Sequence, residues 1–227
     1  MSHPRRCRVH AADDCNRALV EEGHTNNPTR EKILMHGLDV LSVSGFSGVT
    51  LGVLAQRGGM SKSGLYAHFR SIEQVHLALL GKMGELWDAY VVLPSMSAEE
   101  GVPRLRSYFV NSLEWTTKAG MTGGNPLFAA MYELDDIPGA LRSAVIASAE
   151  DWRDTIMEHA RQAIHAGDLH ADTDIVQLAW ELRGIALSHH VSRRLFRDSQ
   201  ADGRAQLALD RLIENARSHT KTASAPA

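Results

Sequence analysis

The residues with the clearest chemical meaning form one run, Gly59-Met60-Ser61-Lys62-Ser63-Gly64-Leu65-Tyr66-Ala67-His68-Phe69-Arg70-Ser71. Ser61 stands where a hydroxyl can cap a helix, and Lys62 and Ser63 then fall in its first turn. Leu65 and Phe69 lie four apart and share one face, which points them inward. Lys62 and Ser63 are left exposed, and Tyr66 and His68 can each donate to a phosphate oxygen. Gly64 lets a backbone come close, at a helix penalty of about 1 kcal/mol. Thr50 can reach a phosphate from the start of the preceding helix. Free amides at a helix N-terminus favour the same anion. One at a time these residues have plain structural roles: Thr50 as a cap, Tyr66 as half-buried packing, His68 as surface. In this order and spacing they suit a recognition helix whose N-terminal residues meet base edges in the major groove.

Other chemistry is weakly represented. The sequence has no Gly-x-Ser-x-Gly elbow, no Gly-x-x-x-x-Gly-Lys-Ser/Thr loop, no Gly-x-Gly-x-x-Gly and no His-Glu-x-x-His. His3, Cys7, His10 and Cys15 match no compact zinc spacing. His159, His165, His170, His189 and His190 include no i, i+4 pair, and adjacent histidines point apart on a helix. No metal site and no cofactor are expected.

The elements that must position the run follow from periodicity. Ile33, Leu34, Leu38 and Leu41 mark one helical face. Thr29, just after Pro28, is the expected cap, and Gly45 the expected exit. Thr50 opens a short helix with Leu51, Leu54 and Ala55 inward, and Gly58-Gly59 break it. Ser71 and Gln74 form a Ser-x-x-Gln capping box for a longer helix that Pro94 should close. Two short helices joined by a glycine-containing turn between two longer ones make a helix-turn-helix. Phe46, Val49, Leu65 and Phe69 are expected core. Five more helices are expected, at about 98–119, 126–135, 139–166, 173–196 and 202–218, with no strands and no internal repeat.

Bulk properties agree with a two-part soluble chain. It has 227 residues, 44% hydrophobic and 22% charged, with net charge −3. Residues 1–75 hold nine Lys/Arg against seven Asp/Glu, and residues 76–227 hold fifteen against twenty. A slightly basic front on an acidic body suits a local polyanion contact. No run of 18 apolar residues appears, so no membrane span is expected. Both cysteines lie in the first 15 residues, which fits a reducing cytoplasm. Residues 1–28 read as a disordered extension, with Arg5, Arg6 and Arg8 either a solvated tail or a minor-groove arm. Residues 220–227 read as a disordered tail.

The segment from Thr29 to Val75 resembles the DNA-binding domain of the TetR family. The resemblance rests on Thr29-Arg30-Glu31-Lys32-Ile33-Leu34, Gly45-Phe46, Thr50, Leu54-Ala55 and, above all, Gly59 to Ser71. It departs at His36-Gly37, where small alanine-like residues are usual and the first helix is expected to be weaker. It departs again at Ile72, where a lysine commonly follows the cap. The resemblance implies an all-α fold: an N-terminal three-helix helix-turn-helix domain, residues 29–75, then a larger ligand-binding and dimerisation domain, residues 76–219. It implies phosphate or base contacts by Thr50, Ser61, Lys62, Ser63, Gly64, Tyr66 and His68. It also implies a double-stranded operator, a homodimer and a small-molecule effector.

For the effector, large aromatic and methionine side chains in the second domain suit an apolar or amphipathic ligand. The candidates are Phe109, Leu113, Trp115, Met121, Phe128, Met131, Tyr132, Trp152, Met157, Trp180 and His189. The stripes Ile175-Leu178-Ala179-Leu182-Ile185-Ala186 and Leu207-Leu209-Leu212-Ile213 could build a four-helix dimer bundle or pack within the chain. The expected function is a repressor released from a palindromic operator. The competing reading is a helical binding protein or enzyme with a vestigial DNA reader.

Overall fold

Helix after helix is started by a polar side chain in the right place. The computed structural model describes residues 27–217, so the proposed N-terminal arm, the early Cys/His set and the 220–227 tail lie outside the described residues. The elements are α1 (Pro28–Gly48), α2 (Leu51–Gly58), α3 (Lys62–Tyr66) and α4 (Ile72–Trp87), which runs through a π-helical turn (Asp88–Val92) into α5 (Leu93–Met96). Then come α6 (Val102–Lys118), α7 (Pro126–Glu133), α8 (Ala140–His165), α9 (Ile175–Arg194) and α10 (Ala201–Ala216). The fold is all helical, with a small N-terminal helix-turn-helix domain and a larger C-terminal helical domain.

The caps explain the boundaries. Thr50 Oγ1 accepts from Val53 N at 3.2 Å, and Ser61 Oγ from Gly64 N at 3.0 Å. Ser71 Oγ accepts from Gln74 N at 3.2 Å, while Gln74 Oε1 accepts from Arg70 N, one residue outside the ideal box, at 2.9 Å. Two expectations need correction. The cap of α1 is Asn27, whose Oδ1 accepts from the Thr29 and Arg30 amides. Pro28, with fixed φ and no N–H, belongs inside the first turn, so the cap falls one residue before it. Nor does Pro94 close the fourth helix. The π-helical turn ends at Val92, which puts Pro94 in the first turn of α5, where its missing N–H is not needed.

Gly45 adopts φ 68°, a left-handed exit, and one further turn leads to Val49. Ile33, Leu34, Leu38, Leu41, Phe46, Val49, Leu54, Leu65, Phe69 and Leu79 are all buried together. Packing is close at Gly37, where a Cβ would sit 2.7 Å from Leu79 Cδ2. Ile72 is half-buried against the same core.

A polar joint ties this module to the larger domain. Glu133 on α7 accepts from the amides of Phe46 and Ser47, both at 2.6 Å. Asp39 on α1 accepts from Thr122 N (2.8 Å), Thr122 Oγ1 (2.7 Å) and Arg57 of α2 (2.7 Å). Burial opposes ionisation of Asp39, but these bonds outweigh it and hold its carboxyl below the usual range. Gly123 N donates to Ser42 Oγ and Gly124 N to Ser42 O. A side chain at Gly123 would strike the Ser42 backbone. From the other side, Arg194 of α9 donates to Thr122 O at 3.1 Å, and His190 Nδ1 accepts from Asn125 N at 3.4 Å. The loop before α7 is thus held between α1 and α9.

Two outcomes follow for stability. Glu133→Ala removes two bonds to a charged acceptor and should lower unfolding free energy by about 2 kcal/mol in urea titration. Glu133→Gln, which keeps the shape but not the charge, should fall between. Burial, with nearby Arg194 and His189, lowers the pKa of His190, and burial lowers that of His159. A lowered folded pKa makes the neutral ring a stabilising form, present above the unfolded value near 6.5 and lost as pH falls below it. The melting temperature should therefore drop between roughly pH 7 and pH 5, and the drop should shrink in a His159→Gln/His190→Gln double variant.

Candidate DNA-reading face and ligand core

The caps that start α2 and α3 also decide what is left facing out. Leu65 and Phe69 are buried, so α3 presents Ser61, Lys62, Ser63 and Tyr66 to solvent, Tyr66 at 51% exposure. The Ser61 and Ser63 hydroxyls are 2.9 Å apart. Gly64 and His68 are half-buried. The open space above Gly52 is bordered by Lys62 Cε and Thr50 Oγ1, each under 4 Å from where a Cβ would be. Lys62 therefore lies along the N-terminal end of α2 beside Thr50. One cation, several hydroxyls and a phenol share a surface made by two helices. Arg57 at the end of α2 is spent on Asp39.

Inside the larger domain, Trp87 is surrounded by Tyr108 (6.0 Å between ring centres), Trp115 (5.8 Å) and Trp152 (6.3 Å), all edge-on. Phe128 lies 5.5 Å from Trp152 and 5.2 Å from His190, and His159 lies 5.0 Å from Tyr108. Trp115 Nε1 and Trp152 Nε1 are buried without a hydrogen-bond partner. Tyr108 Oη is near Trp87 and Thr155 but makes no bond of good geometry with either. Burial pushes its phenol pKa up. Burial likewise raises the carboxyls of Asp88 and Asp151, with Asp88 and Asp154 adding to the rise at Asp151.

Of the sequence-named effector residues, Phe109, Trp115, Phe128 and Trp152 are buried, and Leu113, Met121, Met131 and Met157 pack partly buried against the core. Three lie elsewhere. Tyr132 is on the outer side of α7, 63% exposed, because the inner face of that short helix is taken by Leu127, Phe128 and Ala130. Trp180 is 67% exposed, because Leu178, Ala179 and Leu182 occupy the inner face of α9. Trp180 and His189 line an outer groove of about 570 Å³ between α9 and α10, where His189 Nε2 and Asp202 are 2.7 Å apart. The stripes named for a dimer bundle are mostly spent within the chain, since Leu178, Leu182, Ala186, Leu209 and Ile213 are buried. On α9 and α10 the exposed large apolar side chains are Val176, Trp180 and Leu207. Sequence reasoning missed Trp87, Tyr108 and Arg183. Tyr108 could have been found from the period it shares with Leu105, Ser112 and Trp115 on α6.

Comparison with known proteins agrees with this architecture. The family described as "Bacterial regulatory proteins, tetR family" matches residues 33–79. "Tetracyclin repressor-like, C-terminal domain" matches residues 101–209. A transcriptional regulator, AcuR of Cereibacter sphaeroides, is 26% identical over 181 residues, 78% of this chain and 76% of its own. A TetR family regulator from Cytophaga hutchinsonii superposes with TM-score 0.74 at 18% identity, covering 85% of this chain and 96% of that one. AibR in complex with isovaleryl coenzyme A and operator DNA superposes with TM-score 0.61 at 20% identity, covering 83% and 98%. No helix among the described residues is long and apolar enough to cross a membrane. With one match on the reading module and another on the helical body behind it, the chain belongs to the TetR family of bacterial transcriptional regulators.

Proposed function

We propose that the protein is a homodimeric repressor that holds a palindromic operator and leaves it when a small-molecule effector binds. In this reading residues 29–75 form the reader and residues 76–219 the effector and dimerisation domain. One observation carries it: Lys62, Ser63 and Tyr66 stand exposed beside Thr50, and folding gives Lys62 and Tyr66 nothing to do there. Ser61 and Gly64 shape the turn that presents them, and His68 borders it. Dimerisation is supported by Val176, Trp180 and Leu207, exposed on α9 and α10. Two such helices from each protomer would make a four-helix bundle and set two readers about one helical turn of DNA apart. An effector is supported by the unpartnered Trp115 and Trp152 donors, since a buried polar group without a partner costs about 1–3 kcal/mol that a ligand can recover. AibR, which shares the fold, has been caught with both an acyl-coenzyme A and operator DNA.

Selection of bound sequences from random duplex DNA, across a salt series, tests the operator. A palindrome with affinity falling steeply in salt is expected, while sequence-blind retention would reject the reading. Lys62→Ala should weaken binding evenly across sequences and lower the salt slope by about 1 per protomer. Tyr66→Phe should weaken it by a few-fold, with circular dichroism unchanged in both variants.

A further inference from the structure

A second cleft lies between α7, α8 and α9, with a volume of about 310 Å³. Leu134 and Val145 contribute apolar wall, and Arg142, Arg153 and Arg183 contribute charge. The first two arginines are occupied. Arg142 Nε donates to Asp135 O at 3.0 Å, and Arg153 pairs with Asp154 at 2.8 Å and Glu150 at 3.8 Å. Arg183 is different. It has no hydrogen bond or ion pair among the described residues, and its Nε is buried without a partner. Its guanidinium lies over the Trp152 ring, 5.6 Å from the centre. Burial, and then the charge on Arg153, pull its pKa below the ordinary arginine value, and no carboxylate offsets them.

A half-buried guanidinium with its Nε enclosed, beside a second cation, is stabilised when an anion completes it. The unpartnered group that lines this cleft, Arg183 Nε, is a pure donor, so its missing partner must be an acceptor. The planar fork of arginine matches a carboxylate. Asp135 and Glu150 line the same cleft and Asp154 pairs with Arg153, so the three arginines meet three carboxylates and only Arg183 is left to meet an anion. That balance favours a monoanion and disfavours a phosphate dianion. The apolar wall favours an organic acid over a bare ion. We propose that Arg183 binds the carboxylate of a small amphipathic organic acid, whose apolar part lies against Leu134 and Val145. This rests on the effector reading above and names the chemical class of the effector.

The test uses the full chain, with sodium hexanoate, neutral hexanamide and inorganic phosphate as probes, followed by calorimetry and tryptophan fluorescence. Hexanoate should bind, hexanamide and phosphate at least about tenfold more weakly, and Arg183→Gln should lose about tenfold or more for hexanoate alone. Arg183→Gln should stay folded, dimeric and able to bind the operator. The proposal is overturned if hexanamide or phosphate matches hexanoate, if hexanoate fails to bind at roughly 10 mM, or if Arg183→Gln binds it as wild type does. It is also overturned if Arg183→Gln breaks the dimer, which would assign Arg183 to a pairing across protomers. Hexanoate binding that depends on Arg183 but leaves operator affinity unchanged would keep this site and reject effector release. Operator release by a neutral compound alone would do the reverse.

Discussion

The Glu133 carboxylate holds the amides of Phe46 and Ser47, in the turn where α1 ends and α2 begins. That turn sets the angle of the first short helix, and through it the position of α3. Gly45 is bound to this arrangement twice over: its left-handed φ suits glycine, and a Cβ would collide with the Glu133 carboxylate. Asp39 and Ser42 fasten α1 to the loop before α7. The reader is therefore not suspended from α4 alone. Any shift of α7 or of its preceding loop must move α1 or break charged hydrogen bonds, and either response changes where α3 lies.

That joint continues to α9. His190 and Arg194 contact the loop at Asn125 and Thr122, and Phe128 on α7 touches both His190 and Trp152. The aromatic centre of the larger domain and the turn under the reader are thus linked by packed rings and hydrogen bonds. A ligand that favoured one arrangement of this centre would bias the reader only if its affinity differed between arrangements. On the reading proposed above, the unpartnered indole donors and Arg183 are where such a difference would arise.

Division of labour in the reader is simple. Leu54, Leu65 and Phe69 bury the backs of the short helices, and capping hydroxyls on Thr50, Ser61 and Ser71 define their starts. Lys62 and Tyr66, left over at the front, then have no hydrogen-bond partner among the described residues. An exposed lysine lying along a neighbouring helix start, beside a threonine hydroxyl, makes a surface on which phosphate oxygens can be met from two helices at once.

Local chemistry was legible in the sequence. Helix periods, caps at Thr50, Ser61 and Ser71, the break at Gly58-Gly59 and the inward Leu65 and Phe69 all depend on residues a few positions apart, and each stands as read. The cap of α1 and the passage of Pro94 were misjudged because each depends on one residue of register. The sequence alone also determined the family, since the Gly59–Ser71 run is a local pattern. Tertiary structure decided the rest. Trp180 and Tyr132 face outward, and Trp87 and Tyr108 face inward, because each amphipathic helix had more large apolar residues than its inner face could hold, and only packing chose among them. Glu133, 87 residues from Phe46, and Arg183 beside Trp152 could not be paired from spacing at all. Periodicity is a property of one helix, whereas contacts between helices depend on crossing geometry that no local pattern records.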